Sequence, residues 1–301
     1  MKRIVSISLG TSKRDKRSEI TLLGQDFLLE RIGTDGDMDR YSAMFRDLDG
    51  KVDAIGVGGA DIAVVVGDRR YEFKQIADIA RQVKVTPVVD GGGLKHTLER
   101  ETIETLQREH TVDFANSQTL LVSAVDRFGM AQALSDIGGN VIYGDLLFGL
   151  GLPFAIRDYK WVKRLGAAIL PIVTKLPFKW VYPTGEKQLE RKPKFGWAFD
   201  QADTVCGDWH YIRRYAPNRM EGKTVLTQTL RKDDLELLKG MGVNRAITTT
   251  PVIGGETFAT NVMEGLIVAL LGRRPEELTA SDYLAILAKL EWKPNVLELR
   301  G

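Results

Sequence analysis

The sequence predicts an α/β protein of two lobes, each built on a mainly parallel sheet and facing a common cleft, with a helical or irregular insertion in the second lobe. Three observations lead there. The chain has 301 residues, which suits two domains of ordinary size. Short apolar runs alternate with helix-length segments. Most of those runs are apolar throughout rather than at every second residue, the pattern of strands buried on both faces.

The first lobe opens on the apolar run 4–9 and a basic turn with Lys13, Arg14, Lys16 and Arg17, read as a solvated loop. A strand over 25–32 and the acid-rich turn Thr34-Asp35-Gly36-Asp37 lead into a helix over 38–48. A buried strand over 52–57 ends at Gly58-Gly59. The β-rich runs 62–66 and 70–73 around Gly67-Asp68 read as a hairpin. A helix over 74–82, a strand over 86–90, the triplet Gly91-Gly92-Gly93 and a helix over 94–108 complete a lobe of residues 1–113.

The βα alternation restarts near Asn116, and the second lobe is placed at 114–275. Strand 120–123, helix 128–137 and strand 141–143 make one βαβ unit, whose crossover should be right-handed. Strands 203–206, 224–227 and 245–249 follow, with helices at 232–239 and 260–271. The remainder, 276–301, reads as a helix over 281–290 and a tail able to pack back on the first lobe. The insertion, about 148–199, mixes Trp161, Trp180, Trp197 and prolines that include Pro153, Pro171, Pro177 and Pro183 with Lys160, Lys163, Arg164, Lys175 and Lys179. It reads as a cover or oligomer contact, a substrate lid, or a peripheral membrane-surface element.

Composition narrows the function. The chain is 44 % hydrophobic and 27 % charged with a net charge of +2, too balanced to point to nucleic acid. One cysteine, Cys206, forbids an internal disulfide and fits a reducing compartment, so a cytoplasmic location is expected. Three separated histidines and one cysteine offer no zinc spacing, so no metal is expected. The run 4–9 is too short for a signal-peptide core, and no apolar stretch is long enough for a membrane span.

Ligands of open α/β sheets bind beyond the carboxyl ends of the strands, so the residues after each strand are the candidates. Ser123-Ala124-Val125-Asp126-Arg127-Phe128-Gly129 joins a strand to a helix start, where free N–H groups and the helix dipole favour an anion. Arg127 adds a fork of donors. Asp145, after the next strand, stands where such folds bind a ribose hydroxyl. Of the full glycine fingerprint only Gly129 is present, and Asp126 capping the helix is the plainer alternative. Thr249 and Thr250 offer hydroxyls to phosphate or sugar, or to the next helix, whose start includes Asn261. The run 207–214 gathers Asp208, His210, Arg213 and Arg214. His210 can move a proton near neutral pH, Asp208 can orient it, and the arginines suit an anionic substrate. In the first lobe Asp90 and Lys95 flank the glycine triplet as an acid/base pair or a plain ion pair. Asp90, Lys95, Asp126, Arg127, Asp208, His210 and Thr250 are expected to converge on the cleft between the lobes.

At these residues the sequence resembles a bacterial family labelled quinate 5-dehydrogenase. The matching stretches are 6–14, 32–36, 87–100, 122–130, 143–152, 182–188, 206–215 and 248–265. The resemblance implies two Rossmann-like lobes and hydride transfer. Shikimate and quinate dehydrogenases pair a lysine with an aspartate in the first lobe and open the second with a glycine-rich nucleotide loop. The nearest equivalents are Lys95 with Asp90 or Asp61, and 123–129.

Three functions compete. One is an NAD- or NADP-dependent oxidoreductase acting on a polyhydroxy carboxylic acid, with Lys95 or His210 moving the proton. The second is a two-lobed transferase or lyase holding a nucleotide or phosphorylated metabolite. The third is a small-molecule-binding protein without chemistry.

Overall fold

A computed structural model describes residues 1–181, 190–250, 252–253 and 256–300; Tyr182–Gln188 of the expected family stretches, Pro251 and Gly254-Gly255 lie outside the described residues, as do the side chains of Lys179 and Trp180. In chain order the strands are β1 (Lys2–Ser8), β2 (Lys16–Leu22), β3 (Gln25–Gly33), β4 (Ala54–Gly58), β5 (Ala63–Val66), β6 (Arg69–Glu72), β7 (Val88–Val89), β8 (Gln118–Leu121), β9 (Asn140–Tyr143), β10 (Thr204–Cys206), β11 (Thr224–Thr227), β12 (Arg245–Thr248), β13 (Val252–Ile253), β14 (Glu256–Thr257) and β15 (Asn295–Glu298). The helices are α1 (Met38–Leu48), α2 (Lys74–Ala80), α3 (Gly92–His96), α4 (Leu98–Arg108), α5 (Phe128–Ile137), α6 (Tyr159–Val173), α7 (Phe178–Val181), α8 (Gly196–Gln201), α9 (Trp209–Tyr215), α10 (Lys232–Gly240), α11 (Thr260–Leu271) and α12 (Ala280–Lys289).

Two compact units divide the chain: Met1–Leu94 with Ala168–Gln188 and Phe258–Glu291, and Lys95–Ala167 with Leu189–Thr257 and Trp292–Gly301. The expected boundaries after 113 and 275 are therefore displaced. Ile103 and Leu106 of α4 share a core with Met130, Ala131 and Leu134 of α5, which holds 95–113 in the second unit. In the first unit Asn261 Nδ2 donates to Ser6 Oγ and the Val57 carbonyl at 2.9 and 2.8 Å, which keeps α11 there. Part of the insertion joins the first unit too: the Lys74 amide bonds the Thr174 carbonyl, and the Phe178 ring meets Phe73 edge-on. Of the C-terminal segment α12 belongs to the first unit, whereas β15 belongs to the second.

The first unit's sheet runs β2-β3-β1-β4-β7. All its pairings are parallel except β2 with β3. Strand β4 is buried at every residue, as a strand covered on both faces must be. Helix α1 starts where expected because Asp37 caps it, accepting the amides of Asp39 and Arg40. The basic turn continues into strand β2, where inner and outer positions alternate along a half-exposed antiparallel edge.

The second unit's sheet runs β15-β12-β11-β10-β8-β9, parallel throughout except for the edge strand β15. Its register explains why the strand sequences look continuously apolar. Leu120, Val205, Val225 and Ala246 lie side by side and enter one core, whereas their neighbours Leu121, Cys206, Leu226 and Ile247 enter the opposite one. Leaving out β15, the strand order is the doubly wound 2-1-3-4-5, whose direction of winding reverses between β8 and β10. The fold is thus α/β with two mainly parallel sheets. Among the described residues no helix is long and apolar enough to cross a membrane.

Candidate functional site

The reversal point fixes where a ligand would meet the second unit: beyond the carboxyl ends of β8 and β10. The β8 loop brings Asp126 and Arg127 to that point, the β10 loop brings Asp208, and α3 and the start of α4 bring Lys95 and Glu99. Lys95 Nζ lies 2.8 Å from Asp126 Oδ1, with side chains 10 % and 9 % exposed. Arg127 is buried and forms three ion pairs: Nε with Asp126 Oδ2 at 3.1 Å, one terminal nitrogen with Asp208 Oδ2 at 2.7 Å, and the other with Glu99. Two cations thus face three carboxylates.

The second ring of contacts orients Asp208. Its Oδ1 caps α9 by accepting the His210 amide at 2.8 Å. Its Oδ2 also accepts Gln228 Nε2 at 2.8 Å. Gln228 is itself fixed, since its Oε1 accepts the Thr227 hydroxyl at 2.6 Å and the Trp209 amide at 3.3 Å. Burial works to raise the Asp208 pKa, but the charges of Arg127 and His210 outweigh it and hold the carboxyl below its ordinary range. Glu99 is pushed the other way, because its complete burial outweighs the attraction of Arg127. The outcome is an ionised Asp208 at the rim and a carboxyl of raised pKa at the floor.

Of the residues expected at the site, Lys95, Asp126, Arg127, Asp208 and His210 are brought together within this unit. The others do different work. Asp145, expected on a ribose, accepts the Ala124 and Val125 amides at 3.1 and 2.9 Å and so closes the β8 loop from below; burial lifts its pKa to about 6. The Ser123 carbonyl accepts the Arg127 amide within the same loop. Gly129 serves packing, because a Cβ there would lie 2.3 Å from the Lys95 carbonyl oxygen. Phe128 is buried beside the Tyr159 ring. Thr250 donates its hydroxyl to the Gln228 carbonyl at 2.6 Å, and the Thr249 amide bonds the Thr227 carbonyl. Arg213 faces Asp234 at 3.6 Å rather than Asp208, and Arg214 lies over the Tyr215 ring.

Two expected residues belong to the first unit. Asp90 accepts the amides of Ile62 and Ala63 through Oδ2 and that of Gly92 through Oδ1. Asn261, expected on substrate, is buried and ties α11 to β1 and β4. Glu264 completes the pattern there: it accepts the Gly91 amide at 2.6 Å, and the Gly93 amide and the Tyr283 hydroxyl at 2.9 Å each. The glycine triplet, expected to approach a ligand, holds two of the chain's own carboxylates.

Glu99 and Gln228 escaped the sequence reading, and both had a signal. Glu99, Thr102, Ile103 and Leu106 recur at i, i+3, i+4 and i+7, which places Glu99 on the buried face of α4. Gln228 follows strand β11 directly, the position the strand-end rule selects.

A nicotinamide dinucleotide needs donors for its pyrophosphate and an acceptor for its ribose. At the β8 loop the Ala124 and Val125 amides, the Arg127 fork and the Asp145 carboxylate are all engaged internally, so these residues do not fit that group. Among the described residues no group of three or more His, Cys, Asp or Glu side chains could hold a metal ion.

A family model described as a domain of unknown function (DUF8754) matches residues 93–299, and a second domain of unknown function (DUF8753) matches residues 3–90. The two meet close to the division at Leu94 and Lys95. No curated protein matches the sequence. Among solved structures, a galactofuranose binding protein is similar at 11 % identity and a TM-score of 0.39, covering 99 % of this chain and 95 % of its own. A substrate-binding protein of a sugar ABC transport system from Bordetella parapertussis is similar at 11 % and 0.37, covering 99 % and 89 %. An NAD-dependent malic enzyme from Thermotoga maritima is similar at 12 % and 0.37, covering 96 % and 84 %.

Proposed function

The chain belongs to the DUF8754 family, and within the matched region we propose that the cluster around Lys95 binds a polyhydroxylated small molecule and moves a proton at one of its hydroxyls. The observation that carries this reading is the 2.8 Å pair of Lys95 and Asp126, nearly buried at the reversal point of the sheet. The Lys95 ammonium can give a proton to an oxygen seated on its Nζ, and the amine so formed can take one back from a hydroxyl, while Asp126, itself held by Arg127, keeps it in place. The resemblance to quinate and shikimate dehydrogenases supports this proton-transfer role alone, because the β8 loop does not fit the dinucleotide that would take a hydride. Asp126 takes the part that the resemblance gave to Asp90 or Asp61.

The charge balance bears on the substrate. Lys95 and Arg127 are both engaged by the chain's own carboxylates, so a further anion gains little here, and hydroxyl groups that donate to Asp126 and Asp208 gain most. A neutral polyol or sugar therefore suits the cluster better than the anionic ligand expected from the arginines of the candidate loops.

Binding without hydride transfer is the second reading, favoured by the engaged donors of the β8 loop. Calorimetric titration with quinate, shikimate, inositol, NAD and NADP, followed by turnover read from nicotinamide absorbance, separates the two. The expected result is binding of a polyhydroxylated compound, weakened at least about tenfold by Asp126→Asn through loss of a charge-assisted partner. Where turnover with a dinucleotide is seen, Lys95→Met should abolish it while the variant still unfolds cooperatively. Binding with no turnover under either dinucleotide selects the second reading. If no polyhydroxylated compound binds, or if both variants bind and turn over like the parent, the assignment of this cluster fails.

A further inference from the structure

In the second unit, residues 150–167 present an outward face of apolar and cationic side chains. Leu150, Leu152, Phe154 and Trp161 are 48 %, 42 %, 64 % and 53 % exposed. The same segment carries the exposed cations Arg157, Lys160, Lys163 and Arg164, against one acidic residue, Asp158. Across the whole chain 42 lysines and arginines meet 40 acidic residues, so a ratio of four to one is a local concentration.

The segment is anchored from beneath. The Leu152 amide bonds the Leu146 carbonyl, and Ile156 and Tyr143 exchange backbone hydrogen bonds at 2.8 and 3.3 Å. Asp158 starts α6 by accepting the Lys160 amide at 2.7 Å. Ile156 and Val162 point into the core, leaving Lys160, Trp161, Lys163 and Arg164 outward. Arg164 lies over the Trp161 ring at 5.2 Å, and Lys163 over Tyr159 at 5.0 Å.

We infer that this face docks on an anionic lipid surface. Exposed leucine, phenylalanine and tryptophan suit the boundary between headgroups and acyl chains, and flanking lysines and arginines meet anionic headgroups. The long cationic side chains can reach headgroups while their stems stay with the apolar residues. A second copy of the chain fits less well. A two-fold interface would set this face against itself and bring the four cations of each copy together.

The test is co-sedimentation of the full chain with vesicles of phosphatidylcholine alone and of phosphatidylcholine with phosphatidylglycerol. Binding is expected only to the anionic vesicles and should weaken as salt is added. Phe154→Ala with Trp161→Ala, and separately Lys160→Glu with Lys163→Glu, should each lower binding about tenfold without changing the melting temperature. Failure to sediment with either vesicle, equal binding to both, or variants that bind like the parent would overturn the inference. So would a concentration-dependent dimer in solution that Phe154→Asp dissolves.

Discussion

The two units solve the same local problem alike and differ in what stands beside the solution. Each has a loop of backbone N–H groups after a parallel strand, and each fills that loop with its own carboxylates. In the first unit Glu264 and Asp90 occupy the Gly91–Gly93 turn. In the second, Asp145 occupies the Ala124–Val125 turn. The difference lies beside the loops. Asp208, Asp126 and Glu99 share a guanidinium and an ammonium. Glu264 is held by glycine amides and a tyrosine hydroxyl and stands near another carboxylate, Asp90. Asp208, balanced by the Arg127 guanidinium, is held below its ordinary range and stays ionised at the rim, whereas Glu264, held by dipoles beside a second carboxylate, has its pKa raised and acts as a strut.

The contrast breaks most visibly at Arg127. Arg127→Met would leave three carboxylates around one lysine in a nearly dry site. Removing one partner of a buried ion pair costs roughly 3–5 kcal/mol, and here the partner is shared. A large fall in the denaturant midpoint is expected, with the transition broadened if the second unit unfolds before the first. A variant as stable as the parent would mean that the cluster is wet and weakly coupled, and the distinction between the units would fall.

A smaller effect sharpens the packing side. In Gly129→Ala the new methyl would meet the Lys95 carbonyl oxygen at 2.3 Å, a backbone atom that cannot move alone. Overpacking of this kind costs about 1–3 kcal/mol, more than the roughly 1 kcal/mol an alanine gains over glycine in a helix. The variant should also disturb the Lys95–Asp126 pair, because the carbonyl belongs to Lys95 itself. Gly149→Ala, where a methyl would meet nothing within 4 Å, is the control and should be near neutral. Equal midpoints for the two variants would show that the second unit yields at the site.

How far the sequence carried depended on whether the determining partners were near or far along the chain. Helices α1, α5 and α11 were legible because a boundary signal of each is local: Asp37 starts the first, and Gly138 and Gly272 end the others in the left-handed region. The parallel strands were legible because burial on both faces leaves uninterrupted apolar runs. Strands β2 and β15 were not, since each is an antiparallel edge strand with alternating exposure and charged residues. At the site, the strand-end rule found Asp126, Arg127, Asp208 and His210. It could not reveal that Asp145, Asp90 and Thr250 are internal partners. A free loop amide and one closed by Glu264, far along the chain, have the same local sequence.

The gentlest test of the comparison is the pH dependence of Glu264. Burial, with the nearby charge of Asp90, lifts its pKa from 4.5 to about 7. An unfolded carboxyl loses its proton near the lower value, while the folded one keeps it to the higher. Between the two, folding takes up a proton, so a rise in pH penalises the folded state. The stability this group contributes is therefore fully present below about pH 4.5 and is lost as pH climbs to about 7. Asp208 runs the opposite way: its lowered pKa gives stability that is present above its ordinary 3.8 and lost only as pH falls below it. In Glu264→Gln the carboxyl is gone, and so is one of two acceptors for the glycine amides. The variant should be modestly less stable at pH 5, by about 1 kcal/mol for a lost acceptor. The difference from the parent should shrink, or change sign, by pH 8. Denaturant midpoints of the two proteins measured across that range decide it. A difference that stays constant with pH would mean that Glu264 is ionised throughout, its charge balanced by the glycine amides and the Tyr283 hydroxyl alone, and the contrast between the units would fall.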